Sequence, residues 1–258
     1  MRFHVIDRQD DNSKLVSKRI KEDCLAQGWT EDDRQPQLLI SVGGDGTLLR
    51  AIHTYSDRLD SISFVGIHTG TLGFFTDYTQ DELDRFLHDL FTRSADIEAF
   101  PMLEISLPKS DRTFYAFNEA RIIHMDRTLN LNLFIDGEFF EKTTGSGICV
   151  STQYGSTAIN RALSGAIVDP GIQVLQLTEI MPVTSHHHHS LRNPYIMKDD
   201  RIVQVKGEDV KHAVLGYDHC SVPLDPVDDE VRIVTSNKKV RFARYRTYSY
   251  LRRLRNLY

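Results

Sequence analysis

The chain has 258 residues, 40% of them hydrophobic and 26% charged, with a formal net charge of −5. That length suits one large domain or two modest ones around a true apolar core. The negative balance argues against nucleic-acid binding by the chain as a whole, and no apolar run reaches the length of a membrane span. The opening "MRFHVIDRQDDNSK" is too acidic and too poor in apolar residues for a signal peptide, so the expected compartment is the cytoplasm. Cys24, Cys149 and Cys220 are scattered with no Cys-x-x-Cys pair, which fits neither a disulfide framework nor a zinc site.

In chain order, "RFHVI" (2–6) reads as a strand and Ser13 to Gln27 as a helix. "QLLISV" (37–42) is an apolar, partly β-branched run expected of a buried strand. "TLLRAIHTY" (47–55) places its leucines, alanine and isoleucine at helical spacing. "SISFVGIHTG" (61–70) reads as another buried strand, and "TQDELDRFLHDLF" (79–91) as an amphipathic helix. This alternation predicts a doubly wound parallel sheet, an α/β domain over residues 1–99. From about Phe100 the pattern changes to short alternating segments: "LEISL", "TFYAFNEA", "RIIHM" and "LNLFIDGEFFEK". Asp136-Gly137 within the last is a two-residue hairpin signal. "STAINRALSGA" (156–166) returns to helix-like spacing, and strands are expected at "RIVQVK", "HAVLGYD", "EVRIVT" and "KVRFARY". Residues 100–235 therefore read as a second, all-β or β-rich, sandwich-like domain, followed by a tail over 236–258.

The stretch between the second strand and its helix is "GGDGT", namely Gly43, Gly44, Asp45, Gly46 and Thr47. Glycines permit positive φ and close approach of another molecule, and a helix N-terminus offers free N–H groups and a positive dipole end to a phosphate. In an open α/β sheet such a loop lies at the carboxyl edge of the strands, where ligands bind. No Lys-Ser/Thr follows at P-loop spacing, and a leucine holds the third glycine position of the dinucleotide fingerprint. Asp45 is out of place in a pure phosphate cradle, since its charge repels phosphates. Two readings stand: a plain Asp-Gly turn, or a carboxylate that aligns or deprotonates a hydroxyl beside a phosphate.

Two other stretches are unusual. "SHHHHS" (185–190) is expected as a solvated loop or strand end, the alternative being adventitious Zn²⁺ or Ni²⁺ binding. The tail "RFARYRTYSYLRRLRNLY" carries six arginines among aromatics. Either it touches RNA or anionic lipid, or it packs its aromatics and leaves the arginine heads in water.

Several segments together resemble the NAD kinase family. GGDGT with the following Leu-Leu-Arg-Ala looks like that family's first motif, and "GIHTGTLGFFTD" (66–77) is similar to its second, with His68 where asparagine is frequent. "FNEA" resembles its Asn-Glu pair, "GSGICVSTQYGSTAIN" (145–160) its glycine- and threonine-rich segment, and "GAIVDPGIQVLQLTEI" and "GYDHC" continue the match. The resemblance implies phosphoryl transfer from ATP, or polyphosphate, to the 2′-hydroxyl of the adenosine ribose of NAD⁺. It implies Mg²⁺ or another divalent cation with the nucleotide, no resident metal, a tail that returns to the first domain, and a homotetramer. By the same resemblance Asp45 is the proton acceptor, and Gly43, Gly44, Gly46 and Thr47 form the phosphate loop. The NAD-binding set it implies is Asp45, Gly46, Asn118, Glu119, Thr144, Ser146, Thr157, Ala158, Ile159, Asn160, Arg161, Ala162, Met181 and His219.

The match departs from the family pattern inside the site. Ser146 stands where aspartate is usual, Gln153-Tyr154 where Pro-Thr/Ser is usual, Ile159 where tyrosine is usual, and Thr144 where a basic residue is common. Losing the aromatic face removes on the order of 1 kcal/mol of stacking, and losing a buried charged acceptor removes about 1–3 kcal/mol. These changes predict weakened NAD⁺ affinity rather than a different reaction. The competing readings are a lipid kinase sharing GGDGT and a non-catalytic or degraded NAD(P)-binding paralogue.

Overall fold

The computed structural model describes residues 1–70, 73–184 and 190–255. Residues 71–72 of the "HTGTLGFF" stretch, 185–189 of the histidine run and 256–258 of the basic tail lie outside the described residues. The chain divides into two compact units, one of Met1–Phe100 with Lys238–Tyr258 and the other of Pro101–Asn237.

The first unit is built on parallel strands β1 (Arg2–Asp7), β2 (Thr30–Glu31), β3 (Leu38–Gly43), β4 (Ser63–His68) and β5 (Tyr78–Thr79), in the order β2-β1-β3-β4-β5. Helices α1 (Asp11–Ala26), α2 (Asp45–Thr54) and α3 (Leu83–Thr92) connect or follow them. Every residue of β3 is buried, which explains why its sequence is a continuous apolar run rather than an alternating one. Leu38, Ile40 and Val42 join Phe3, Val5, Val65 and Ile67 in one cluster with Val16 and Ile20 of α1 and Phe86, Leu87 and Leu90 of α3. The apolar residues of α2 (Leu48, Leu49, Ala51 and Ile52) are buried outside that cluster while α2 packs on β3, so helices cover both faces. Asp10 caps α1, its carboxylate accepting the Ser13 N–H at 3.0 Å, as short polar side chains do at helix starts.

The second unit is mainly antiparallel. Its strands are β6 (Asp96–Leu107, which begins in the first unit), β7 (Arg112–Ala116), β8 (Glu119–Ile123), β9 (Leu129–Ile135), β10 (Glu138–Gly145), β11 (Gly147–Thr152), β12 (Val174–Ile180), β13 (Tyr195–Lys198), β14 (Val203–Lys206), β15 (Val214–Tyr217), β16 (Cys220–Pro223) and β17 (Glu230–Arg244). One sheet runs β13-β12-β11-β8-β15-β16, and β10, β9, β14 and the first half of β17 pair in that order in another. Ile122, Ile148, Val150, Leu177 and Leu215 from the first of these and Leu129, Leu131, Leu133, Val203 and Val231 from the second share a single core, which is a sandwich. The α/β and β-rich fold class read from the sequence is the one observed.

Details differ from the sequence reading. Asp136 and Gly137 both have positive φ, at 54° and 83°, and join β9 to β10 as the dipeptide foretells. "EVRIVT" and "KVRFARY" are one fifteen-residue strand, β17, because no glycine or proline interrupts the extended chain between them. The helix expected over 156–166 is only a 3₁₀ turn at Tyr154–Thr157 and a four-residue helix α4 (Ile159–Ala162). It is broken at Ala158, whose ψ of −138° is not helical, and ended at Ser164, whose φ is +64°. Strands β11 and β12 escaped the pattern search because β11 is buried on every residue and shows no alternation. Among the described residues no helix is long and apolar enough to cross a membrane.

Candidate active site

In the first unit the site grows from the end of β3. Gly43 takes φ +153°, where a Cβ would lie 2.4 Å from the Thr47 hydroxyl, so the strand can turn into the helix only with glycine there. Gly44 is the N-cap of α2 and no side chain caps it; the Thr47 N–H turns back to the Gly44 carbonyl at 2.9 Å, and an uncapped helix N-terminus suits an anion. Thr47 is buried beneath the loop, and Gly46 is exposed with nothing within 4 Å of a Cβ built on it.

Asp45, in the first turn of α2, is partly buried, and its carboxylate is gripped from a second loop. Oδ2 accepts the Phe74 N–H at 2.7 Å and Oδ1 accepts the Phe75 N–H at 3.1 Å. Gly73 makes the approach feasible, since a Cβ there would sit 2.3 Å from Oδ1. Burial pushes the Asp45 carboxyl above the ordinary range, against the pull of the two amides and the positive fields of His68 and Arg253. Next to it, His68 at the end of β4 accepts the Gly70 N–H on Nδ1 at 2.9 Å. Burial lowers its pKa, against the opposing pull of the Asp45 carboxylate.

The loop that holds Asp45 is itself held by the C-terminal tail, which ends in α5 (Tyr250–Arg255). The Tyr248 hydroxyl donates to the Phe74 carbonyl at 2.7 Å, Arg244 to the Phe75 carbonyl at 3.2 Å, and Arg253 to the Thr76 carbonyl at 2.8 Å. Arg246 donates to the Asp77 carbonyl. Arg244 and Arg253 also bind the buried Asp77 carboxylate, and Arg246 binds Glu82. The tail packs its aromatics, as one of the two readings has it, but the arginine heads nearest the site are not left in water: Arg244 and Arg253 are buried and bonded within the protein.

In the second unit, Asn118 and Glu119 open β8. Asp218, just after β15, accepts the N–H groups of Phe117 and Asn118, each at 2.7 Å. Thr152 donates its hydroxyl to the Phe117 carbonyl at 2.9 Å. Gly155 lies so close that a Cβ would meet the Asn118 carbonyl oxygen at 2.1 Å. Both side chains are buried, and Asn118 Oδ1 and Glu119 Oε2 have no hydrogen-bond partner among the described residues. Burial, with the like charge of Asp218, pushes the Glu119 carboxyl up to about 8, only partly opposed by Arg121. A buried polar atom without a partner is costly, so these two mark a place for a ligand.

The remaining residues of the expected set fall in several places. Ala162 and Met181 line a cavity of about 410 Å³ together with Thr178, Glu179 and Arg192. Ser146 lies beside Met181, its hydroxyl 3.8 Å from the sulfur. Thr144 is buried and bonds the Asn130 side chain at 3.0 Å. His219 is exposed and lines a different cavity with Arg121 and Cys220. Asn160 is fully buried, its Oδ1 accepting from Thr178 at 2.9 Å while Nδ2 has no partner. Thr157, Ala158 and Ile159 are half-buried and Arg161 is exposed around α4. Tyr154 stacks on Phe117 with ring centroids 5.3 Å apart.

Sequence reading missed the Phe74 and Phe75 amides, because backbone donors leave no residue signature. It also missed Asp218 and the tail's grip on residues 74–77. The alternation of arginine with tyrosine in the tail was their one visible trace. Among the described residues no group of three or more His, Cys, Asp or Glu side chains could cage a metal ion.

Residues 2–95 match the family model described as the ATP-NAD kinase N-terminal domain, and residues 115–245 match the ATP-NAD kinase C-terminal domain. NAD kinase 1 of Halalkalibacterium halodurans is 33% identical over 259 residues, covering 99% of this chain and 97% of the relative. The structure of an NAD kinase from Archaeoglobus fulgidus in complex with ATP superposes with a TM-score of 0.77 at 25% identity, covering 100% of this chain and 97% of that one. Yeast NADH kinase complexed with NADH has a TM-score of 0.85 at 20% identity, covering 100% and 87%, and shares the fold. The chain belongs to the ATP-NAD kinase family.

Proposed function

We propose that the protein is an NAD kinase that transfers the terminal phosphoryl group of ATP to the 2′-hydroxyl of the adenosine ribose of NAD⁺, with Asp45 as the proton acceptor. The observation that carries this reading is the Asp45 carboxylate itself: buried, shifted towards higher pKa, and fixed by the Phe74 and Phe75 amides at an open helix N-terminus. Gly43, Gly44, Gly46 and Thr47 shape the loop that receives the phosphates. Phosphoryl transfer passes through a loose transition state, so alignment of the hydroxyl matters more than early proton removal. A carboxylate made more basic by burial also accepts the proton better at the end of the step.

Asn118 and Glu119 hold the adenosine end, their unpartnered oxygens meeting ring, amine or ribose donors. Ser146, Ala162 and Met181 bound the dinucleotide pocket, with Thr144, Thr157, Ala158, Ile159, Asn160 and Arg161 around it; His219, expected in the same set, lines a separate cavity with Arg121 and Cys220. The divalent cation, Mg²⁺ or a substitute, enters as part of the nucleotide substrate, where it neutralises phosphate charge. Polyphosphate is the alternative donor. The cytoplasm suits the free thiols of Cys24, Cys149 and Cys220, and a homotetramer is expected by resemblance to bacterial members. The test is direct: purified protein with NAD⁺, ATP and Mg²⁺ makes NADP⁺, and Asp45→Asn abolishes it. Equal turnover by that variant would remove Asp45 from its role.

A further inference from the structure

The carbonyls of four consecutive residues, Phe74, Phe75, Thr76 and Asp77, each accept a hydrogen bond from a different tail side chain: Tyr248, Arg244, Arg253 and Arg246. A loop with only a structural anchor needs one or two such contacts. Here every peptide of the segment is pinned, and the same segment supplies both N–H groups that hold Asp45. The Phe74–Phe75 peptide belongs to both sets. Its carbonyl takes the Tyr248 hydroxyl at 2.7 Å, and its N–H donates to Asp45 Oδ1 at 3.1 Å. A donor on the carbonyl polarises the peptide and strengthens donation by the N–H at its other end. The Tyr248 ring is gripped between the guanidinium groups of Arg244 and Arg253, whose carbons lie 4.4 and 4.1 Å from its centroid. Its hydroxyl is thus aimed by cation–π contacts on a ring that cannot swing.

We infer that Tyr248 is a positioning residue of the reaction, acting on Asp45 through the Phe74–Phe75 peptide, with Arg244 and Arg253 holding its ring. This rests on the reading of Asp45 as proton acceptor. The C-terminal tail is then a working part of the site rather than a surface appendage. Tyr248 touches neither substrate nor the transferred proton; it fixes where the carboxylate points and how firmly its negative form is supported. The charged and titratable groups facing Asp45 are His68 from β4 and Tyr248 and Arg253 from the tail, with Asp77 and Arg244 behind them. Tyr248 is the one among them whose hydroxyl can be removed without changing any charge near pH 7, because burial pushes its pKa up to about 12.

The experiment compares Tyr248→Phe with Tyr55→Phe in the full-length protein. Tyr55 is the control: it loses a hydroxyl bonded to a backbone carbonyl at 2.6 Å in the same unit, that of Asp33, at the opposite end of α2 from Asp45. Tyr248→Phe should lower kcat about fivefold, with both KM values within about twofold. The acid limb of its kcat–pH profile should move up by roughly half a unit, because Asp45 keeps less amide support for its charge. Tyr55→Phe should lose a similar amount of thermal stability and shift neither. A Tyr248→Phe enzyme with unchanged kcat and acid limb overturns the inference, as does a loss of kcat that Tyr55→Phe reproduces. Asp45→Asn, assayed alongside, separates the two levels. If it retains turnover, the reading of Asp45 fails and the inference with it. If it is dead while Tyr248→Phe behaves as wild type, only the inference falls.

Discussion

Gly73→Ala adds one methyl group, and the structure says where that methyl must go. Its Cβ would stand 2.3 Å from Asp45 Oδ1, 2.6 Å from Cγ and 2.7 Å from Oδ2. An ordinary carbon–oxygen contact is longer than the nearest approach by about 1 Å, and a displacement of that size at a reacting group costs on the order of a hundredfold in rate. The carboxylate and the loop cannot both stay. Either Asp45 rotates away or residues 73–75 retreat, and in both cases the bonds from the Phe74 and Phe75 amides are lost. The expected result is a kcat lowered about a hundredfold, equal to about 2.7 kcal/mol of transition-state stabilisation. The KM for ATP should change little, and so should the melting temperature, because the clash falls on a movable side chain and not on the core. The assay is NADP⁺ formation at saturating NAD⁺ and ATP, with thermal unfolding followed in parallel. A kcat within about threefold of wild type would show that the orientation of Asp45 is not what the chemistry depends on.

Two further outcomes are expected. The Glu119 carboxyl, pushed up to about 8 from an ordinary 4.5, is held protonated by the folded protein, so its contribution to stability is complete below about pH 4.5 and is lost as pH rises through 8. The slope approaches about 1.4 kcal/mol per pH unit across that window, Glu119→Gln should flatten it in denaturant titrations, and an unaltered slope would mean that Glu119 is ionised in the fold. Separately, Ser146→Asp and Ile159→Tyr should each lower the KM for NAD⁺ with kcat nearly unchanged, by up to about tenfold for each 1.4 kcal/mol recovered. The two effects need not add, since both residues border one pocket. An unchanged or raised KM in both would show a pocket rebuilt for another ligand, with Tyr154, stacked on Phe117, the first residue to examine.

The parts of the fold that sequence could disclose are those where one periodicity dominates. β3 and α2 were visible because an apolar run meets a glycine loop and then a helical repeat, and the β9–β10 turn because only Asp-Gly accepts two positive φ values cheaply. β11 was not, because a strand buried on both faces has no polar side to betray its period. The short α4 was overread, because helical spacing is only a local statistic. The side chain of Asn160, packed so that a Cβ on Gly165 would fall 2.2 Å from it, fixes a tight turn that spacing alone does not foresee. At the site, Asp45 and the Asn118-Glu119 pair stand out as residues, whereas their supports are peptide groups and distant arginines. Arg253 lies 176 positions after Asp77, to which it donates, and nothing in the order of the letters couples them.

The two buried carboxyls show how one force, desolvation, is turned to different ends by what opposes it. Around Asp45 burial raises the pKa, but two amides and the fields of His68 and Arg253 all support the ionised form. Glu119 has no such amides. It faces Asp218, whose like charge adds to burial, and its nearest cation, Arg121, stands 3.7 Å away while donating to the Asp218 carbonyl at 2.6 Å. For the proton acceptor proposed at Asp45, those amides and cations are the groups that favour the ionised form against burial. Glu119 is kept as an acid with a hydrogen to donate and an oxygen to accept, which suits recognition of a ligand bearing both kinds of group. Environments that treat two acids so differently assign their roles. The division therefore follows from the neighbours of each carboxyl, and the carboxyls themselves are chemically almost the same.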